Sequence, residues 1–267
     1  MRSYINVERI SKMKIKLLIL TLILPLGTIS AFVSCQKGPL ISDDAKVMKT
    51  GEALLEETDD AGMSYIDSFI FIGESTTYHL KSRGVLTGGQ NTKQVWSTKS
   101  GTMTLDLTAD KIKIVYPETG EELTFYEATT KKRPEYLMMT FGLNGAVQNI
   151  RRGEEYFKTC YKKLINTVRS ASPDTKIILQ SAFPVAENMD MSTYSVDLRT
   201  LNEYIDTINE WTYKIAEEED CKYLDTNRIL KDKNNNLRYE YQSGDGHHLN
   251  TEAYRQILYY VRTHAYN

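Results

Sequence analysis

The chain has 267 residues, of which 41% are hydrophobic and 25% are charged. These proportions are typical of a soluble globular protein and exclude a polytopic membrane protein, a collagen-like fibre and a wholly disordered chain. The formal net charge of −2 provides no basic field for phosphate backbones, so no nucleic acid is expected as a partner.

The N-terminal segment has the pattern of a secretion signal. Lysines within positions 12–16 precede an uncharged, largely apolar run from Leu17 to Ser34, and Cys35 follows directly. This order describes a signal peptide, and the residues before the cysteine resemble a bacterial lipobox. We expect residues 1–35 to be a signal peptide with a lipobox, and lipidation of Cys35 to anchor the protein at the outer face of the bacterial cell membrane. An uncleaved anchor and a cleaved, unlipidated form are the alternatives, and all three forms are extracytoplasmic.

The next segment, residues 36–64, is polar and acidic. We expect it to be a tether with a short helix near Leu54. Beyond it, short apolar runs are typical of buried parallel strands. Five such runs are predicted as strands: Tyr65–Ile72, Gln94–Trp96, Tyr136–Phe141, Lys176–Gln180 and Lys222–Leu224.

Helical patterns with one apolar face follow the later strands. They cover Phe157–Val168, Leu198–Ile215 and Tyr254–Val261, and Asn250 is a candidate N-cap for the last of them. Strands that alternate with helices predict an α/β fold, a three-layer α/β/α sandwich with a mostly parallel five-stranded sheet over residues 65–267. Residues 111–124 contain a turn between alternating segments, which predicts a small β-hairpin insertion at the edge of the sheet.

Polar residues follow the first three predicted strands, where an open parallel sheet binds its ligands. Ser75 lies at a strand-to-helix turn, where the helix dipole and free N–H groups favour negative charge. Gly101 allows close approach of the backbone to a ligand, and the Asn144 side chain can donate to an oxyanion. Each has an ordinary alternative, respectively a helix cap, a loop glycine and a turn asparagine.

A fourth motif lies just before the last helix. Asp245 and His248 are three residues apart on a glycine-containing turn, so the carboxylate can reach one imidazole nitrogen and leave the other to take a proton. Metal ligation is the alternative, but a third or fourth ligand at recognisable spacing is missing from the sequence. His79 and His264 are interpreted as surface residues. Cys160 and Cys221 are more simply explained as buried free thiols than as a disulfide.

Taken together, these motifs resemble the blocks of the SGNH (GDSL-like) hydrolase family. The matching residues are Gly73-Glu74-Ser75, Gly101, Gly142-Leu143-Asn144 and Asp245-Gly246-His247-His248, in the order and separations of the family. The resemblance covers about Tyr65 to the C-terminus and implies the flavodoxin-like SGNH fold. Glu74 is a departure, because the family usually has aspartate at that position.

The resemblance implies a serine esterase that needs no cofactor or metal. Ser75 would be the nucleophile, His248 the general base and Asp245 its orienting acid, while Ser75, Gly101 and Asn144 would form the oxyanion hole. The expected substrate is an ester, in particular an acetylated or otherwise acylated carbohydrate or cell-wall polymer. Two alternatives remain open: an O-acetyltransferase with the same triad, and a non-catalytic binding lipoprotein on the same scaffold.

Overall fold

The computed structural model describes residues 51–109 and 111–266. The predicted signal peptide, Cys35 and the first part of the predicted tether lie outside the described residues. Among the helices that can be described, we find none with the length and apolarity needed to cross a membrane.

Strands and helices alternate along the chain. The strands are β1 Phe69–Gly73, β2 Val95–Trp96, β3 Lys113–Val115, β4 Glu122–Thr124, β5 Tyr136–Thr140, β6 Lys176–Gln180 and β7 Lys222–Leu224. The helices are α1 Gly62–Asp67, α2 Ser75–Ser82, α3 Leu105–Thr108, α4 Phe125–Lys132, α5 Ala146–Arg152, α6 Glu154–Ala171, α7 Leu198–Glu218, α8 Asn227–Leu230 and α9 Thr251–Arg262. Short 3₁₀ turns cover Gly89–Asn91 and Tyr239–Tyr241.

The central sheet has the strand order β2-β1-β5-β6-β7, and every adjacent pair is parallel. All residues of β1 and β5 are buried, because helices cover both faces of a parallel sheet. Alternate residues serve two separate cores: Ile70 and Ile72 pack with α6 and α7, while Phe69 and Phe71 pack with α1 and α9. The predicted three-layer sandwich with a five-stranded parallel sheet is therefore confirmed.

Local predictions for the hairpin, the last helix and the thiols are also confirmed. Strands β3 and β4 pair in antiparallel fashion, and the N–H of Val115 donates to the carbonyl of Ser97 directly after edge strand β2. The Asn250 side chain accepts a hydrogen bond from the N–H of Ala253, so Asn250 caps α9. Cys160 and Cys221 are buried and free of any disulfide in the described part of the chain.

The beginning of the first strand was predicted wrongly. Tyr65 and Ile66 belong to helix α1, and β1 starts only at Phe69. Ile66 is fully buried in the same core as the strand residue Phe69. A short apolar run does not by periodicity alone distinguish a buried helical turn from a buried strand, so helix and strand were merged.

The described part of the predicted tether, residues 51–64, packs against the domain instead of leaving it. The N–H of Leu55 donates to the carbonyl of Tyr223, whose own N–H donates to the carbonyl of Ala53. This segment therefore extends the sheet beyond β7, with a turn and a bridge in place of the expected helix near Leu54. Ala53 and Leu55 are buried, while the acidic residues before and after them face solvent.

Candidate active site

Three side chains from opposite ends of the chain form a hydrogen-bonded relay. Ser75 is the first residue of α2, directly after β1. Its Oγ lies 3.0 Å from Nε2 of His248, and Nδ1 of the same imidazole lies 2.7 Å from Oδ2 of Asp245. The predicted nucleophile, base and acid are thus brought together across 173 residues of sequence.

The Asp245 carboxylate also organises the turn that carries it. Its Oδ1 accepts hydrogen bonds from the backbone N–H groups of His247 at 3.1 Å and His248 at 2.8 Å. Partial burial raises the pKa of Asp245, but the hydrogen bonds from His248 and His247 outweigh burial and hold that pKa well below its usual range. The carboxylate is therefore ionised at neutral pH, as an imidazole-orienting acid must be.

The loop after β6 fixes the position of this turn. The N–H of Ala186 donates to the carbonyl of Gly246 at 2.7 Å. Gly246 has a φ of +83°, and a Cβ added there would come within 2.5 Å of the Met189 Cα. Asn202 of α7 holds the same loop, because its side chain bonds both the N–H and the carbonyl of Val185. Only glycine fits between the turn and the loop at this position.

The predicted oxyanion donors differ in their availability. The side-chain Nδ2 of Asn144 donates to Oγ1 of Thr102 at 3.1 Å, which orients the amide and leaves it a second hydrogen. The N–H of Gly101 donates to the carbonyl of Thr98 at 3.1 Å, so that group is already engaged within its own turn. Gly101 has a φ of +76°, and a Cβ there would lie 3.0 Å from the ring of Tyr78.

Glu74, the departure from the family pattern, connects two of the predicted motifs. Its carboxylate is only 2% exposed and accepts hydrogen bonds from the N–H groups of Gly142 at 2.9 Å and Asn144 at 3.0 Å. Burial raises the pKa of Glu74 to about 7, although backbone N–H groups of the Gly142–Asn144 loop act in the opposite direction. The sequence marks Glu74 as a departure from the family pattern but does not by itself reveal its role. The available signal was its position directly after a buried strand, because a buried carboxylate needs hydrogen-bond partners.

His79 was wrongly interpreted as a surface residue. Its ring centroid lies 4.4 Å from that of His248, and the ring centroid of His247 lies 3.9 Å from that of His248. Burial, with the nearby His248 and Arg83, lowers the pKa of His79 to about 4. Its Nδ1 is buried without a hydrogen-bond partner among the described residues. Helical spacing was the missed signal, because position 79 is one turn after Ser75.

His264 is also only half-exposed. Its ring stacks on that of Tyr260 with 3.7 Å between centroids, and its Nδ1 bonds the Tyr260 carbonyl oxygen at 3.0 Å. Both contacts are with Tyr260, near the end of α9. The surface interpretation was therefore wrong for this histidine too, although its partners are structural.

A serine at the carboxyl edge of a parallel sheet, hydrogen-bonded to a histidine that is paired with an aspartate, is the arrangement that serine hydrolases use. Residues 71–256 match the GDSL-like Lipase/Acylhydrolase family. Since this match covers more than half of the chain, the protein belongs to that family and is a hydrolase of the SGNH type.

Solved structures agree with the fold. A Streptococcus pneumoniae protein provisionally assigned as a platelet activating factor has a TM-score of 0.52 at 18% identity, over 73% of this chain and 82% of that one. A G-D-S-L family lipolytic protein from Desulfitobacterium hafniense, also a provisional assignment, has a TM-score of 0.50 at 17% identity, over 73% and 97%. The search of curated proteins gave no match.

Proposed function

We propose that this protein is an extracytoplasmic serine esterase that removes acetyl or other small acyl groups from carbohydrate or cell-wall substrates. The observation that carries the proposal is the relay itself. Ser75 Oγ and His248 Nε2 are 3.0 Å apart, and His248 Nδ1 and Asp245 Oδ2 are 2.7 Å apart. Both separations are within hydrogen-bond reach, which acid–base catalysis requires.

In the proposed reaction, the Ser75 oxygen attacks the ester carbonyl carbon while its proton passes to Nε2 of His248. Asp245 keeps the remaining imidazole proton on Nδ1 and stabilises the cation that forms. The tetrahedral intermediate then expels the alcohol, which takes the proton from Nε2, and an acyl-serine remains. Water then attacks the acyl-serine carbonyl while His248 Nε2 accepts its proton. The return of that proton to the Ser75 oxygen releases the carboxylic acid and regenerates Ser75.

The negative charge of the tetrahedral intermediate needs preorganised donors. We assign this role to the N–H of Ser75, at the start of α2, and to the second hydrogen of the Asn144 amide. Glu74 supports the second donor, because it holds the Asn144 backbone at 3.0 Å. The N–H of Gly101 can contribute only if its hydrogen bond to the Thr98 carbonyl is broken or shared. Of the three predicted donors, Gly101 is therefore the one whose hydrogen bond must change when substrate binds.

The proposed location rests on the N-terminal pattern. Lipidation at Cys35 would hold the site outside the cytoplasm with two acyl chains, enough for stable membrane anchoring. An enzyme held there meets acylated wall polymers and glycans. Short acyl esters of sugars are therefore the substrates we expect, with no cofactor.

The test uses the purified full-length protein, a series of p-nitrophenyl esters of increasing acyl length, and acetylated oligosaccharides. We expect hydrolysis to be fastest for acetate, and a fluorophosphonate reagent to label one serine. Ser75→Ala should abolish labelling and lower kcat/KM by at least about a thousandfold. Ser100→Ala, which removes an exposed serine near the predicted oxyanion loop, is the matched control and should retain both.

The outcomes separate the alternatives. Labelling of another serine by mass spectrometry, or full activity in Ser75→Ala, would contradict the proposed triad. Formation of acetylated acceptor sugar in place of free acetate would identify an O-acetyltransferase. A folded protein that neither labels nor hydrolyses any ester would favour a binding lipoprotein.

A further inference from the structure

We propose that Asp245, His247 and His248 form a binding site for a transition-metal ion such as Zn²⁺, and that the bound ion switches the hydrolase off. Of the described residues, these three form the group of potential ligands whose donor atoms all lie within 4.8 Å of one another. Binding of the ion is independent of the reaction. Only the inhibitory consequence rests on the proposed function.

The separations between the donor atoms suit a small ion. Nδ1 of His248 lies 2.7 Å from Oδ2 of Asp245, and Nδ1 of His247 lies 3.6 Å from Oδ1 of the same carboxylate. In a tetrahedral zinc site with bonds of about 2.0–2.1 Å, neighbouring ligand atoms are about 3.3 Å apart. The two measured separations, each to a different oxygen of the carboxylate, lie on either side of that value.

The donor set has the chemistry that zinc prefers. Two imidazoles and one carboxylate are common zinc ligands, and a water completes the fourth position. The His247 and Asp245 side chains are 34% and 45% exposed, so an ion can reach them from solvent.

The turn from Asp245 to His248 brings His247 into the cluster as a third potential ligand, which the sequence pattern did not predict. The spacing of the motif predicted a pair, Asp245 and His248, and no third ligand at recognisable spacing. Gly246 has a φ of +83°, and the turn it makes brings the rings of His247 and His248 to 3.9 Å between centroids. Adjacent histidines therefore contribute to one cluster.

An ion bound here removes the general base. Coordination through Nδ1 of His248 takes the place of the hydrogen bond to Asp245, and the Nδ1 proton is released to solvent. The neutral metal-bound ring then carries its proton on Nε2, taken up from solvent. Nε2 is the atom 3.0 Å from Ser75 Oγ, so it cannot accept the serine proton while the ion is bound.

The first experiment measures binding without catalysis. Purified Ser75→Ala protein is titrated with ZnCl₂ by calorimetry and by competition with a chromogenic chelator, and we expect one equivalent to bind. Adding His247→Gln should weaken the affinity at least about tenfold, as expected when a zinc site loses a first ligand. His79→Gln is the matched control, because that ring also contacts His248 but lies outside the cluster; its affinity should be unchanged.

The second experiment measures inhibition of the wild-type esterase by ZnCl₂ and its reversal by EDTA. Each variant is compared with its own metal-free rate, and His247→Gln should need at least about tenfold more zinc for half-inhibition. Absence of stoichiometric binding, or equal binding by His247→Gln, would overturn the site. Stoichiometric binding without inhibition would overturn the switch. An inactive wild-type protein would refute the proposed function while the titration still decided the site.

Discussion

Two carboxylates in the candidate active site accept similar backbone hydrogen bonds, but their pKa values shift in opposite directions. Glu74 accepts backbone hydrogen bonds from Gly142 and Asn144, and Asp245 accepts them from His247 and His248. Glu74 is 2% exposed and its pKa rises to about 7. The Asp245 side chain is 45% exposed and its pKa falls well below the usual range.

The difference shows that burial, more than the number of N–H donors, decides the charge of each acid. Removing the ionised Glu74 carboxylate from water costs more free energy than the hydrogen bonds from its backbone donors recover. Asp245 keeps part of its water and gains a charge-assisted partner in the His248 ring. One region therefore holds a buried acid that bonds the loop after β5, and the other holds an ionised acid that bonds the His248 ring.

Asp245→Asn should have the largest effect and tests the second half of this comparison. The amide still accepts backbone hydrogen bonds through its oxygen, but its NH₂ group faces His248 Nδ1 and favours the wrong imidazole tautomer. We expect kcat to fall by about 10⁴-fold with little change in folding. Steady-state kinetics with p-nitrophenyl acetate and circular dichroism measure the two quantities.

The adjacent histidines provide the control for that experiment. His248→Ala should abolish hydrolysis, whereas His247→Ala, which removes a ring that touches His248 without bonding Ser75, should retain much of it. The reverse result would mean that the wrong member of the pair has been assigned as the base.

Glu74 should make stability depend on pH in the direction opposite to Asp245. Its pKa is about 7 in the folded state against 4.5 in the unfolded chain, so the folded state binds the proton more tightly. Its contribution is complete below pH 4.5 and is lost as the pH rises to about 7, a change of about 3 kcal/mol in the free energy of unfolding. The contribution of Asp245 is present above its unfolded pKa of 3.8 and is lost as the pH falls below that value.

Urea unfolding of the wild type and Glu74→Gln at about pH 5 and about pH 8 measures this contribution. The glutamine does not titrate, so the stability difference between the two proteins should change across the interval in favour of the wild type at the lower pH. A constant difference would show that Glu74 is ionised throughout and that its N–H donors outweigh burial after all.

Gly246→Ala should have the smallest effect of the three and tests how the Asp245 turn is supported. The new Cβ would lie 2.5 Å from the Met189 backbone, whereas a Cβ at Gly244, with a φ of +120°, meets nothing within 4 Å. We expect Gly246→Ala to lose at least about 1 kcal/mol more stability than Gly244→Ala, with a lower kcat. Equal losses of stability in thermal or urea unfolding would mean that the positive φ alone accounts for the effect, and that contact with the loop after β6 does not contribute.

Much of the fold was predictable because its signals are local. Runs such as Lys176–Gln180 and Lys222–Leu224 became strands with the same bounds, since a buried parallel strand must be apolar on both faces. The cap at Asn250 was predictable for the same reason, because its bond to Ala253 spans three residues. The motifs that follow strands were predictable as neighbours at one edge of the sheet, because parallel strands end at the same edge.

Local sequence patterns were enough to predict the five-stranded parallel sheet, its longest helices and the set of polar residues at its carboxyl edge. The packing of the elements was needed to show that Glu74 bonds Asn144, 70 residues away, that His79 lies against His248, and that Leu55 packs beside Tyr223. Periodicity reports which face of an element is buried, but not which distant group shares that burial. Contacts between distant residues depend on how elements pack, so the pKa of Glu74 and the neighbours of His248 appear only in the folded chain.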